Sequence, residues 1–200
     1  MANELLLLWL AALPLMGSPG PATMSLAGLG TAFGFRPSLS YLLGIIAGTT
    51  VVLLMIATGV TALVLAQPIL LTALTILGGI YILYLAWKIA SAPVGPLVPR
   101  SEHAPAFVPG FSLAIANPKA FAAIGAVYAG HTLVADNVTA DAVYKLAALV
   151  LVIVIVNTVW LAFGATFSMM LTNPAVGRAA NVLFAIMLVT SVGFALLDLS

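Results

Sequence analysis

Four stretches of this chain run without a single charged side chain: Leu5 to Phe35, Pro37 to Trp87, Leu146 to Gly177 and Ala179 to Leu197. About 20 predominantly apolar residues cross the hydrocarbon core of a bilayer, so runs of this length predict several membrane crossings. Composition agrees: 64% of the 200 residues are hydrophobic and 6% are charged, with a mean hydropathy of +1.25, far outside the range of soluble domains. The expected fold class is an all-α integral membrane protein, because the alternating pattern of a membrane barrel strand is missing. The lipid bilayer is then the chief partner. A net charge of +1 from scattered groups excludes a basic patch for nucleic acid. With no cysteine, disulfides, thiolate metal sites and thiol redox relays are excluded. The N-terminal MANELLLLWLAALPLMG carries Glu4 where a signal peptide has basic residues and offers no A-x-A site, so it reads as a retained first helix.

Every face of these segments is apolar, so proline, glycine and charge mark the boundaries better than helical period does. Six spans are expected: 3–32, broken at Pro19 to Pro21; 38–66, ending before Gln67-Pro68; 69–90; 110–131, broken at Asn117-Pro118; 141–171, ending before Asn173-Pro174; and 177–197. The chain divides into a three-helix repeat over 1–91, a proline-rich cytoplasmic linker over 92–108 and a second three-helix repeat over 109–200. Because three is odd, the two repeats must lie inverted in the membrane. Pro21 has Gly28 seven residues on, Pro118 has Gly125 seven residues on, and a polar residue followed by proline precedes the third span of each half. Arg36, Lys88, Arg100 and Arg178 fall on one side, and Lys145 with Asp136 and Asp141 on the other. The first side is therefore read as cytoplasmic, with both termini outside.

Interrupted helices at matching places in inverted halves point to a transporter's substrate site. Pro19-Gly20-Pro21 removes two N–H donors around a residue of unusual backbone freedom. The helix that resumes there offers free N–H groups and the positive end of its dipole to an anion. A kink that serves only packing is the plainer alternative. Lys119 lies ten residues into a span beginning near Pro109, roughly 15 Å along a helix and near mid-depth. A charge there costs roughly 2.5–3.5 kcal/mol on insertion scales, so it marks function by default. Asn117 and Asn157 could serve either a neighbouring helix or a ligand. Ser18, Thr23, Thr49 and Thr158 are expected to bond to their own helices. Gly44 and Gly48 in GIIAG suit close helix packing. Trp9 and Trp87 suit interfacial anchoring, and Trp160 a cavity wall. No metal cluster, phosphate loop or nucleophile triad appears, so neither an enzyme nor a cofactor is expected.

PGPATM in the first span, GFRPSLSYLLGIIAG leading into the second, GGIYILYLAWK in the third and GFSLAIANPKA in the fourth resemble the LysE-type amino-acid exporters in order and spacing. The resemblance implies a six-helix inner-membrane exporter of amino acids or similar small metabolites, driven by exchange with protons and forming a homodimer. It also implies an acidic residue where this chain has Thr49, so Thr49 becomes a candidate contact in place of a carboxylate. The expected site comprises Pro19, Gly20, Pro21, Thr49, Asn117, Pro118, Lys119 and Asn157. A substrate carboxylate would meet Lys119 and a half-helix N-terminus, while its ammonium would meet the carbonyls freed by the prolines. An exporter of another small metabolite or ion, or a structural membrane subunit, are the competing readings.

Overall fold

The computed structural model describes residues 2–59, 76, 80, 82–91, 104–170 and 174–197. Expectations that rest on Gln67-Pro68, on the start of the 69–90 span, on Arg100 in the linker and on Asn173 lie outside the described residues. Among the described residues all regular structure is helical: α1 (Ala2–Gly17), α2 (Pro21–Phe33), a 3₁₀ turn (Arg36–Ser38) and α3 (Leu39–Ala57). A helix over 82–90 follows as α4, then α5 (Phe107–Ile115), α6 (Pro118–Gly130), α7 (Val138–Met170) and α8 (Pro174–Leu197). The fourth span thus starts a turn earlier than Gly110, so the C-terminal edge of the expected linker is helical.

Both expected interruptions are present. α1 meets α2 at a bend of 63°, and α5 meets α6 at 61°. In each case a proline opens the second helix, where its missing N–H costs nothing and its fixed φ favours helix initiation. α3 and α7 are each long and apolar enough to cross a membrane alone, and each bent pair passes the same test when its two helices are taken together. The chain is a multi-pass membrane protein.

Packing is reciprocal. The bent pair α1/α2 lies on α7, and the bent pair α5/α6 lies on α3. In lipid there is little hydrophobic drive to join helices, so backbones must approach closely and small residues decide where they touch. A Cβ added at Gly44 would sit 2.1 Å from the Phe107 carbonyl oxygen, and one at Gly110 would sit 2.4 Å from that of Tyr41. GIIAG is therefore a packing motif, locking α3 to α5. A second crossing joins α2 to α7 through Gly30 and Gly164. The shared offset of Gly28 and Gly125 does not extend to their surroundings: Gly28 meets Ile89 of α4, whereas no described atom lies within 4 Å of a Cβ built at Gly125.

Two buried apolar clusters stack along the helices. One joins α2, α4, the first part of α3 (Tyr41, Leu42, Ile45), Leu113 and Ala114 of α5, and Leu161 of α7. The other joins Leu8 and Ala12 of α1, Val52 and Leu53 of α3, Ile124 and Val127 of α6, and Leu149 to Val156 of α7. Every helix that passes from one cluster to the other does so through a polar position: the break at 18–20, Thr49, the break at 116–117, and Asn157. These positions form a polar layer between the two apolar clusters.

Lys119 apart, the basic residues among those described separate to the two ends. Lys88 lies over the Phe33 ring at 5.8 Å, and Arg178 Nη1 donates to the Ala90 carbonyl at 2.6 Å, near the 3₁₀ turn that carries Arg36. At the other end Lys145 stands beside Asp141, as expected, and is buried. It pairs with Asp141 at 2.8 Å, donates to the Tyr128 and His131 carbonyls at 3.2 Å each and lies 4.1 Å from the centre of the Tyr128 ring. Asp141 in turn accepts from the Leu133 and Val134 amides at 2.6 and 3.0 Å. Burial of both charges is tolerated because each is paired and hydrogen-bonded, and together they close the C-terminus of α6.

Candidate functional site

A helix broken in an apolar medium must have its freed carbonyls satisfied. At the first break nearly all are. The Leu15 carbonyl accepts from Ser18 Oγ at 2.9 Å, and the Gly17 carbonyl from the Trp160 indole at 3.0 Å. The Ser18 and Pro19 carbonyls both accept from Lys119 Nζ, the second at 3.2 Å and the first in a very close contact. Gly20 N–H donates to Thr23 Oγ1 at 2.9 Å, half of a capping box at the start of α2. The lysine at the second break therefore spans 101 residues of sequence to close the first.

This contact explains Gly20 differently from the sequence reading. Its backbone is extended, with φ −171° and ψ 178°, and needs no special freedom. What matters is the missing side chain, because a Cβ at Gly20 would lie 2.6 Å from Lys119 Cδ. The lysine stem crosses directly over the glycine.

A cavity of about 40 Å³ opens beside the contact, bounded by Gly20, Thr23, Thr49, Asn117, Lys119 and Asn157 with apolar residues of α1, α6 and α7. It has room for a few waters. Gly20, Thr49, Asn117, Lys119 and Asn157 of the expected site line it, whereas Pro19, Pro21 and Pro118 stand outside and act by ending or starting helices. Trp160 does not line it, contrary to expectation; it supports the break from behind. Among the described residues no carboxylate borders the cavity, and no three His, Cys, Asp or Glu side chains gather as a metal site would require.

The polar groups that remain are few. Asn117 precedes α6 without capping it through its side chain, is 6% exposed, and has an Oδ1 with no hydrogen-bond partner. A buried unpaired amide oxygen costs about 1–3 kcal/mol, which a ligand donor would recover. Asn157 returns one N–H to the Ile153 carbonyl at 2.7 Å, leaving its oxygen and a second N–H. Thr23 bonds to the start of its own helix as expected and also lines the cavity, whereas the bond from Trp160 to Gly17 had no signal in the sequence, since nothing local connects Trp160 to a glycine 143 residues away.

The sequence profile of the family described as LysE type translocator matches residues 13–199. The chain belongs to this family. It is accordingly a membrane translocator and not an enzyme. Over 76 residues the translocator is 40% identical to proteins named cysteine/O-acetylserine efflux protein from Salmonella choleraesuis (strain SC-B67), Salmonella paratyphi A (strain ATCC 9150 / SARB42) and Salmonella typhi. The alignment covers 38% of this chain and 39% of each relative, so the translocator spans about two-fifths of the length of the curated relatives it matches. No solved structure matches it.

Proposed function

We propose that this translocator exports small neutral amino acids, or close analogues, across the inner membrane by alternating access coupled to proton exchange. One observation carries the reading. Residues singled out from both helix breaks and from the two long helices border a single cavity in the polar layer between two apolar clusters. The reciprocal packing of each bent pair on the other half's long helix supports two inverted repeats that rock against each other. Substrate carboxylate is assigned to Lys119 and the N-terminus of α2. Substrate ammonium is assigned to the Ser18 and Pro19 carbonyls, assisted by Asn117 and Asn157.

Charge selects the class of substrate. A dibasic amino acid would bring a second cation beside Lys119 with no carboxylate to receive it, and an unpaired buried charge costs several kcal/mol. The relatives' named substrates, cysteine and O-acetylserine, carry no charged side chain, which supports the same selection. Proteoliposomes loaded with cysteine, O-acetylserine, threonine, lysine or arginine are expected to show saturable efflux of the neutral compounds. Faster efflux of lysine or arginine would overturn the charge argument.

The separation of basic residues supports a cytoplasmic location for the end that carries Arg36, Lys88 and Arg178, with both termini outside. Arg36 and Asp136 are both exposed and suit labelling in this cysteine-free chain, whereas Asp141 is buried in its ion pair. Asp136→Cys is expected to react with an impermeant maleimide on intact cells, and Arg36→Cys only after permeabilisation. The opposite pattern would reverse the topology.

A further inference from the structure

The place assigned to the substrate's ammonium is already filled by an ammonium. Lys119 Nζ donates to the Ser18 and Pro19 carbonyls, and its stem passes over Gly20 because that residue has no side chain to block it. We propose that Lys119 is a tethered stand-in for the substrate's ammonium: substrate binds by exchange, its own ammonium taking the two carbonyls while its carboxylate draws Lys119 away. This rests on the export reading above and adds to it a rule about which molecules the site accepts.

The rule follows from the charges around the cavity. No lining residue is acidic, so the empty site carries the single positive charge of Lys119. A zwitterion leaves that balance unchanged, supplying one cation to the carbonyls and one anion to the displaced lysine. A carboxylate without an amine can draw Lys119 aside only by leaving the Pro19 carbonyl without its donor and the half-buried Ser18 carbonyl with a long 3.4 Å contact from Thr23 Oγ1, which is unfavourable in an apolar medium. An amine without a carboxylate would place two cations together. The buried Asn117 Oδ1, which has no partner, offers a further acceptor to the incoming ammonium and none to a carboxylate. The contracted cavity of about 40 Å³ fits an exchange, since the volume swept by the lysine becomes available only when it moves.

Removing Lys119 inverts the rule. In Lys119→Met the carbonyls carry no competing cation, so an amine alone restores the single positive charge, whereas a zwitterion brings a carboxylate that has lost its cationic partner and keeps only the N-terminus of α2. Lys119→Gln keeps an N–H donor for the carbonyls and removes the charge, which covers the case in which the Met variant does not fold.

The test uses Trp160, whose indole holds the neighbouring Gly17 carbonyl, as a fluorescent reporter in purified protein carrying Trp9→Phe and Trp87→Phe. Serine and O-acetylserine, N-acetylserine (carboxylate only) and serine methyl ester (amine only) are titrated at a pH that keeps the ester amine protonated. With Lys119 present, both zwitterions are expected to bind roughly tenfold or more tighter than either single-charge analogue, the scale of one charged hydrogen-bonded contact. With Met or Gln at 119, the methyl ester is expected to become the tightest ligand. Zwitterion preference retained in both variants, or N-acetylserine binding the Lys119 protein as tightly as serine, would overturn the exchange while leaving an amino-acid site intact. Binding by no compound in the panel would remove the amino-acid reading and the exchange with it.

Discussion

Lys119→Met is expected to abolish saturable efflux of neutral amino acids while the protein still accumulates, folded, in the membrane. Losing a hydrogen-bonded contact from a half-buried charged group costs about 1.5–3 kcal/mol, or roughly a tenfold to 150-fold loss in a step that depends on it. Stability should change little because two effects oppose each other. An apolar side chain at mid-depth removes an insertion penalty of roughly 2.5–3.5 kcal/mol. The Ser18 and Pro19 carbonyls, which Lys119 now satisfies, lose their donor at about 1–3 kcal/mol each if water does not replace it. Efflux at matched expression in proteoliposomes, read beside size-exclusion profiles, separates the two roles. Normal efflux from the Met variant would make Lys119 a clasp between broken helices with no part in transport.

Gly164→Leu is expected to prevent the translocator from accumulating at all. A Cβ at Gly164 would lie 2.0 Å from the Ala27 carbonyl oxygen, and the facing Gly30 is bounded at 2.5 Å by the Leu161 carbonyl. Both obstacles are backbone, so no rotamer change can make room and α2 must move off α7. Overpacking a core costs about 1–3 kcal/mol where side chains can yield; here they cannot. The shift would also pull Trp160 from Gly17 and disturb the first break from behind. Gly125→Ala is the matched control, since no described atom lies within 4 Å of its added Cβ. Similar yields of the two variants from membranes would show that the α2–α7 crossing tolerates separation.

Several features were legible before any coordinates, and each depends on local chemistry. Proline lacks an N–H wherever it occurs, so both breaks could be located from Pro19 to Pro21 and from Asn117-Pro118 alone. The mid-depth position of Lys119 needed only a count of residues along an apolar run, and GIIAG announced close packing because two glycines four apart share one helix face. Asn157 could be named because a polar group in an apolar run stands out, and Thr49 only through the resemblance that places an acidic residue there.

What each polar group faces was not legible. The sequence reading gave the Ser18 and Pro19 carbonyls to a substrate, and the fold gives them to Lys119; it made Trp160 a cavity wall, and the fold ties it to Gly17. Sequence placed Lys145 on the same side as Asp141, but not in the buried ion pair the two form. In a soluble helix the apolar stripe says which side turns inward. These helices are apolar all round, so periodicity cannot choose between lipid and a neighbouring helix. Sequence by itself therefore determined that the chain crosses the membrane, where its helices break and which residues are too polar for their depth. Only the tertiary structure decided which break answers which, because that choice depends on backbones meeting at glycines more than a hundred residues apart and on one lysine long enough to reach across.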